Sequence, residues 1–127
     1  MSIKNLTAAG VLALFTMVSF AAEAADVKVT CEKRTSRSRA SVDGSGLADG
    51  SYRAVLKSGG KTSRSAYDAT IGDEVAFDFD SNPADIADGA TPISAAFIVD
   101  GRVKGYLVNE SNQRVTPIVE AICRVRR

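Results

Sequence analysis

The sequence predicts an all-β chain: a small antiparallel β-sandwich of seven to eight strands behind a cleaved signal peptide. Three observations predict it. Apolar and polar residues alternate in short runs, the runs are separated by Gly, Asp, Asn and Ser at roughly ten-residue spacing, and no long segment has helical period. The two cysteines, Cys31 and Cys123, lie near the two ends of the part that follows the leader.

The leader is residues 1–24. Lys4 is its positive start, Val11 to Phe20 is an apolar run of signal-peptide length, and Ala22-Glu23-Ala24 gives small residues at −3 and −1. Cleavage is expected between Ala24 and Ala25. The run is shorter than the ~20 residues of a spanning helix. Residues 25–127 are therefore expected to be a single exported β-sandwich domain without a membrane span, periplasmic or secreted, from a bacterium. An even cysteine count in such a chain predicts a Cys31–Cys123 disulfide.

The elements follow in order. VKVTCEK puts Val27, Val29 and Cys31 on one face. SRASVDGSG groups Ser38, Ala40 and Val42 and is expected to end at Asp43-Gly44. SYRAVLKSGG turns Tyr52, Ala54 and Leu56 inward, and the polar KTSRSAYDA after it reads as an edge strand. EVAFDFD places Val75, Phe77 and Phe79 inside and Asp78 and Asp80 in solvent. ISAAFIVDGRVKGYLV predicts two strands around an Asp100-Gly101 turn. The last run aligns Val119, Ala121, Cys123 and Val125. A disulfide between the terminal strands makes them neighbours, or sets them face to face across the core. The layout is immunoglobulin-like in architecture only, because the chain has no Trp and its Cys pair lies on terminal strands.

Seven of the fifteen acidic residues fall between Asp68 and Asp88, four of them within FDFDSNPADIADG. Asp78, Asp80 and Asn82 match the opening of a calcium loop. The match then fails, with Pro83 where that loop needs Gly and Gly89 where it needs Glu. A looser calcium cage from Asp78, Asp80, Asn82 and Asp85 is the cation reading, and would suit a cation-dependent binding or adhesion domain. The local reading needs no ligand. Asn82 caps a helical turn, Pro83 begins it, Asp85 faces its positive end and Gly89 ends it.

The basic residues cluster elsewhere. Lys33, Arg34, Arg37 and Arg39 lie in one run and Arg124, Arg126 and Arg127 at the C-terminus. A disulfide would draw the two groups into one patch suited to a polyanion such as envelope polysaccharide or lipid phosphate. No aromatic residues interleave with the basic run, which argues against nucleic acid. The same patch could meet the acidic edge of another copy, so the chain is expected to be a monomer or a weak homo-oligomer.

Catalysis is not expected. The chain has no His, the usual general base. It has no G-x-S-x-G elbow, and SGGKTS carries Val55 where a phosphate loop needs its first Gly. The functional expectation is thus a non-enzymatic binding or accessory protein of the bacterial envelope, its partner an envelope protein or a polyanion, with no cofactor unless calcium.

Overall fold

Alternation with period two builds both sheets. The structure, a computed structural model, describes residues 25–126, so the predicted leader and Arg127 lie outside the described residues. The elements are β1 (Asp26–Arg34), β2 (Arg37–Ser45), β3 (Ser51–Ser58), β4 (Lys61–Arg64), β5 (Asp68–Ala69), β6 (Val75–Asp80), α1 (Pro83–Ala87), β7 (Thr91–Pro92), β8 (Arg102–Asn109), β9 (Val119–Ile122) and β10 (Arg124–Val125). Sheet one has the order β10-β1-β2-β6-β7. Sheet two has the order β9-β8-β3-β4, and β5 also pairs with β3.

The inward positions are those that the alternation marks. Val27, Val29, Ala40, Val42, Phe77 and Phe79 from sheet one meet Tyr52, Ala54, Leu56, Val103 and Leu107 from sheet two in one core. Two glycines let the sheets approach. A Cβ on Gly44 would lie 2.3 Å from Leu107 Cδ1, and one on Gly105 would lie 2.9 Å from Val29 Cγ2. Gly44→Ala is therefore expected to lower stability by about 2 kcal/mol through overpacking, measured by urea unfolding. Gly44 thus belongs to the interior of β2, and the chain does not turn at Asp43-Gly44: β2 runs on to Ser45.

The architecture departs from the expected one in number and direction. Ten strands form among the described residues, many of them very short, and two edge pairs are parallel: β10 with β1 and β7 with β6. β7 is parallel to β6 because α1 carries the chain back between them, and β10 is parallel to β1 because the chain has changed sheets. The chain changes sheets twice after β7. The first change runs through residues 93–101, where the sequence predicts a strand. Ile93, Phe97 and Ile98 are buried there, but beyond Ile93 N–H, which donates to the Asp80 carbonyl, no ladder forms and two serine side chains hold the backbone. Ser38 Oγ donates to the Ala95 carbonyl at 2.7 Å and accepts from Ile98 N–H, while Ser58 Oγ donates to the Arg102 carbonyl at 2.6 Å and accepts from Val99 N–H. Ser38 is on sheet one and Ser58 on sheet two, so the two hydroxyls carry the crossing between them. The turn of the expected hairpin and its second strand, β8, survive, with Asp100 and Gly101 both at positive φ.

The second change occurs at Cys123. β9 pairs antiparallel with β8 in sheet two, and β10 pairs parallel with β1 in sheet one. Cys123 is the residue between them. It is 6 % exposed and bonded to Cys31 of β1, with the two Cα atoms 4.6 Å apart. Past this switch Val125 is exposed and no longer shares the inner face of Val119 and Ala121, contrary to the simple alternation.

Candidate functional site

The acidic stretch folds as the local reading expects, with one addition from far along the chain. Asn82 Oδ1 accepts from Ala84 N–H at 2.9 Å, Pro83 starts α1, Asp85 sits in its first turn, and Gly89 follows at φ +114°. Phe77 and Phe79 are inside. Asp78 is exposed as expected, but Asp80 is not: its side chain is 5 % exposed. The outward face of β6 is covered at this end by Arg37 from β2. Arg37 Nε donates to Asp80 Oδ1 at 3.0 Å and Nη2 to Oδ2 at 2.7 Å, a two-pronged pair, and Nη2 also donates to Asp85 Oδ2 at 2.8 Å. Asn82 N–H adds a further bond to Asp80 Oδ1.

Two opposing effects act on Asp80. Burial pushes its carboxyl up. The hydrogen bonds from Arg37 and Asn82 N–H, with the charges of Arg37 and Arg39, outweigh burial and hold it below the usual carboxylate range. The same pairing raises Arg37. Asp80 is therefore ionised at every physiological pH and occupied by an internal cation.

This arrangement bears on the calcium reading. Asp78 Oδ1 accepts from Ser41 Oγ at 2.8 Å, Asp80 and Asp85 share Arg37, and the Asn82 oxygen caps α1. Among the described residues no group of three or more His, Cys, Asp or Glu side chains is placed to hold a metal ion. Asp68, Asp78, Asp80, Asp85 and Asp88 line one open notch of about 320 Å³ between β6 and the chain before β5, with Arg39 among them. Millimolar calcium is expected to leave the melting temperature within about 1 °C of its value in EDTA, since only a ligand bound to the folded state raises it.

The two basic groups do come together. β10 lies along β1 with Arg124 opposite Glu32, and Arg126 N–H donates to the Lys33 carbonyl at 2.9 Å. Glu32 sits at their centre, its side chain 14 % exposed. Arg126 Nε is 3.3 Å from it, Arg34 Nε 3.6 Å and Arg39 Nη1 4.0 Å. Lys33 bonds to the Arg34 carbonyl. Arg37 is not in this group, because the acidic turn holds it. Arg34, Arg39 and Arg126 thus surround a single carboxylate, with Arg124 across from it on β10, while Lys33, the next residue along β1, alternates to the other face.

Sheet one sets opposite charges across strands at several points of its outer face, although Arg34 stands opposite Arg37. Lys28 stands opposite Asp43, Ser41 opposite Asp78, and Arg39 between Glu32 and Asp80. Burial raises the Asp43 carboxyl, the Asp78 charge adds to that, and Lys28 opposes both. Opposite charges across strands stabilise a sheet. On the outer face of sheet two the strand pairing sets one acid, Glu120, against several cations. Its basic residues are scattered along the chain from Arg53 to Arg114, and no run of sequence marks them as a group.

The chain matches no protein-family model, and no curated protein gives a significant match. Among solved structures it is similar to a beta-glucosidase from Listeria innocua determined in complex with glucose, at 8 % identity and a TM-score of 0.36. The likeness covers 79 % of this chain but 16 % of that one, and at this TM-score it carries no argument about fold or activity.

Proposed function

We propose that the chain is an exported, non-enzymatic β-sandwich domain, immunoglobulin-like in layout, that acts as a binding or accessory protein of the bacterial envelope. The observation that carries the proposal is the Cys31–Cys123 bond at the point where the chain switches sheets. A structural disulfide of this kind belongs to an oxidising compartment, in agreement with the leader predicted for residues 1–24. The absence of His and the pairing of Asp80 with Arg37 support a binding role over catalysis. The test is affinity capture from envelope extract with the immobilised, oxidised chain from residue 25. Specific retention of one envelope component supports the proposal, and a clean eluate after cross-linking counts against it.

A second reading, polyanion binding at the β1–β10 cluster, is favoured by the parallel pairing that sets Arg124 and Arg126 beside Lys33, Arg34 and Arg39. Arg127 belongs to this reading by sequence and lies outside the described residues. Its test is the joint variant Arg34→Gln and Arg126→Gln. Affinity for a sulfated polymer should fall with both the substitutions and added salt. Affinity that depends on neither counts against this reading.

A further inference from the structure

We infer that the outer face of sheet two is a binding surface for an acidic polysaccharide, a chain of carboxylated or sulfated sugars. The inference rests on the chain being an exported binding domain, but it concerns a different surface from the β1–β10 cluster.

The register of sheet two brings six cations to one face: Arg53, Lys57, Arg64, Arg102, Lys104 and Arg114. Lys57 stands directly opposite Lys104, and Arg102 is the next residue of β8 on that face. None of the five ion pairs among the described residues involves any of the six. The acid that the register sets against them is Glu120, opposite Lys104. Like charges directly across a sheet destabilise it. In sheet one Lys28 faces Asp43 and Arg39 faces Glu32 and Asp80, whereas in sheet two the strand pairing sets Glu120 alone against the six cations. An anionic ligand would relieve the repulsion.

The centre of the face is apolar. Val55 and Val108 point away from the main core yet are only 2 % and 4 % exposed. Tyr106 lies opposite Val55, and Arg64 lies on its other side. Long cationic side chains cover apolar surface with their stems while holding their charges outward. Two groups of cations, around Arg53 and around Lys57, therefore flank a floor of Val55 and Tyr106. They are four residues apart on one strand, or about 13 Å. That spacing suits a linear chain with repeated anionic groups.

Two other polyanions fit less well. Single-stranded nucleic acid needs open aromatic faces for its bases. Here Arg53 lies 4.6 Å from the Tyr67 ring centre, and Lys57 Nζ lies 5.9 Å from that of Tyr106. An anionic membrane would be helped by apolar side chains inserted among the cations, but the register sets the exposed Ile122 at the rim of the face, on edge strand β9 opposite Arg102, while Val55 and Val108 at its centre are buried.

The experiment measures binding of the oxidised chain to polygalacturonate and dextran sulfate, with neutral dextran, single-stranded DNA and phosphatidylglycerol vesicles as comparisons. Both acidic glycans are expected to bind more tightly than any comparison. Their affinity should fall at least tenfold when salt rises from about 50 to about 200 mM. The variant Lys57→Gln, Arg102→Gln, Lys104→Gln should lose at least tenfold in affinity at a melting temperature no lower than the parent's, because all three residues are exposed and the Lys57–Lys104 repulsion is removed. The variant Arg34→Gln, Arg126→Gln should stay within twofold of the parent. A loss confined to the Arg34/Arg126 variant overturns this inference and leaves the β1–β10 reading standing. No salt dependence, no binding to either glycan, or tighter binding to DNA or vesicles also overturns it.

Discussion

Reducing the Cys31–Cys123 bond is expected to lower the melting temperature by roughly 20 °C or more, at about 4–8 °C per kcal/mol for a domain of this size. The bond closes a loop of 92 residues of sequence separation. In the chain-entropy view, cross-linking a loop of that length removes about 4.5 kcal/mol of freedom from the unfolded chain. Small domains have total stabilities of roughly 5–15 kcal/mol, so the bond represents a large part of the margin. The location adds to the expectation. Cys123 is buried where β9 leaves sheet two and β10 joins sheet one, and its N–H donates to the Gly101 carbonyl at 2.7 Å. Loss of the bond frees a two-residue β10 pairing and a four-residue edge strand together. Calorimetry with and without reductant gives the shift. Hydrogen exchange should show β9 and β10 opening first. If the reduced chain melts within about 5 °C of the oxidised one, a difference of about 1 kcal/mol, the core alone holds the fold.

Arg37→Ala is expected to cost about 3 kcal/mol, because removing one partner of a buried pair leaves the other charge uncompensated. Asp80 is the partner at risk. Its side chain is 5 % exposed, and apart from Arg37 its hydrogen-bond donor is the Asn82 N–H. Arg37 also ties α1 to β2 through Asp85, so the loss should loosen the turn. The pH dependence follows from the depressed carboxyl of Asp80. In the parent its stabilisation is fully present above the unfolded carboxylate pKa of about 3.9 and is lost as pH falls through the lower folded value. In the variant, burial is no longer opposed by Arg37 and the carboxyl rises, so protonation relieves the penalty. The difference between parent and variant should therefore be largest near neutral pH and shrink in acid. Urea unfolding at pH 7 and pH 4 tests this, and a difference independent of pH would mean that Arg37 acts by packing alone. Arg37→Lys should recover only part of the loss, since an ammonium cannot make the two-pronged contact.

Calcium and polyanion binding probe opposite ends of the same charge distribution. The acidic turn supplies its own cation in Arg37, whereas the register of sheet two sets only Glu120 against its basic face. For that reason a ligand is expected not at FDFDSNPADIADG but at residues that no motif connects.

What was legible in the sequence was local. Alternation is a property of one strand, so Val27, Val42, Leu56 and Phe79 could be placed inside without knowing any neighbour. Capping is a property of one turn, so Asn82, Pro83 and Gly89 marked α1 correctly. Two cysteines leave one pairing. The tertiary structure alone decided which strands are neighbours, and every departure follows from that. Residues 93–101 have the composition of a strand, yet Ser38 and Ser58 capture their backbone as they cross between sheets. Asp80 has the periodicity of a solvent position, yet Arg37, 43 residues away, covers it. The six cations of sheet two form a face only because β3, β4 and β8 lie side by side in one register. Register is set by burial on the inner face, summed over whole strands. The outer face inherits whatever partners that register brings, and a single strand's pattern contains no record of them.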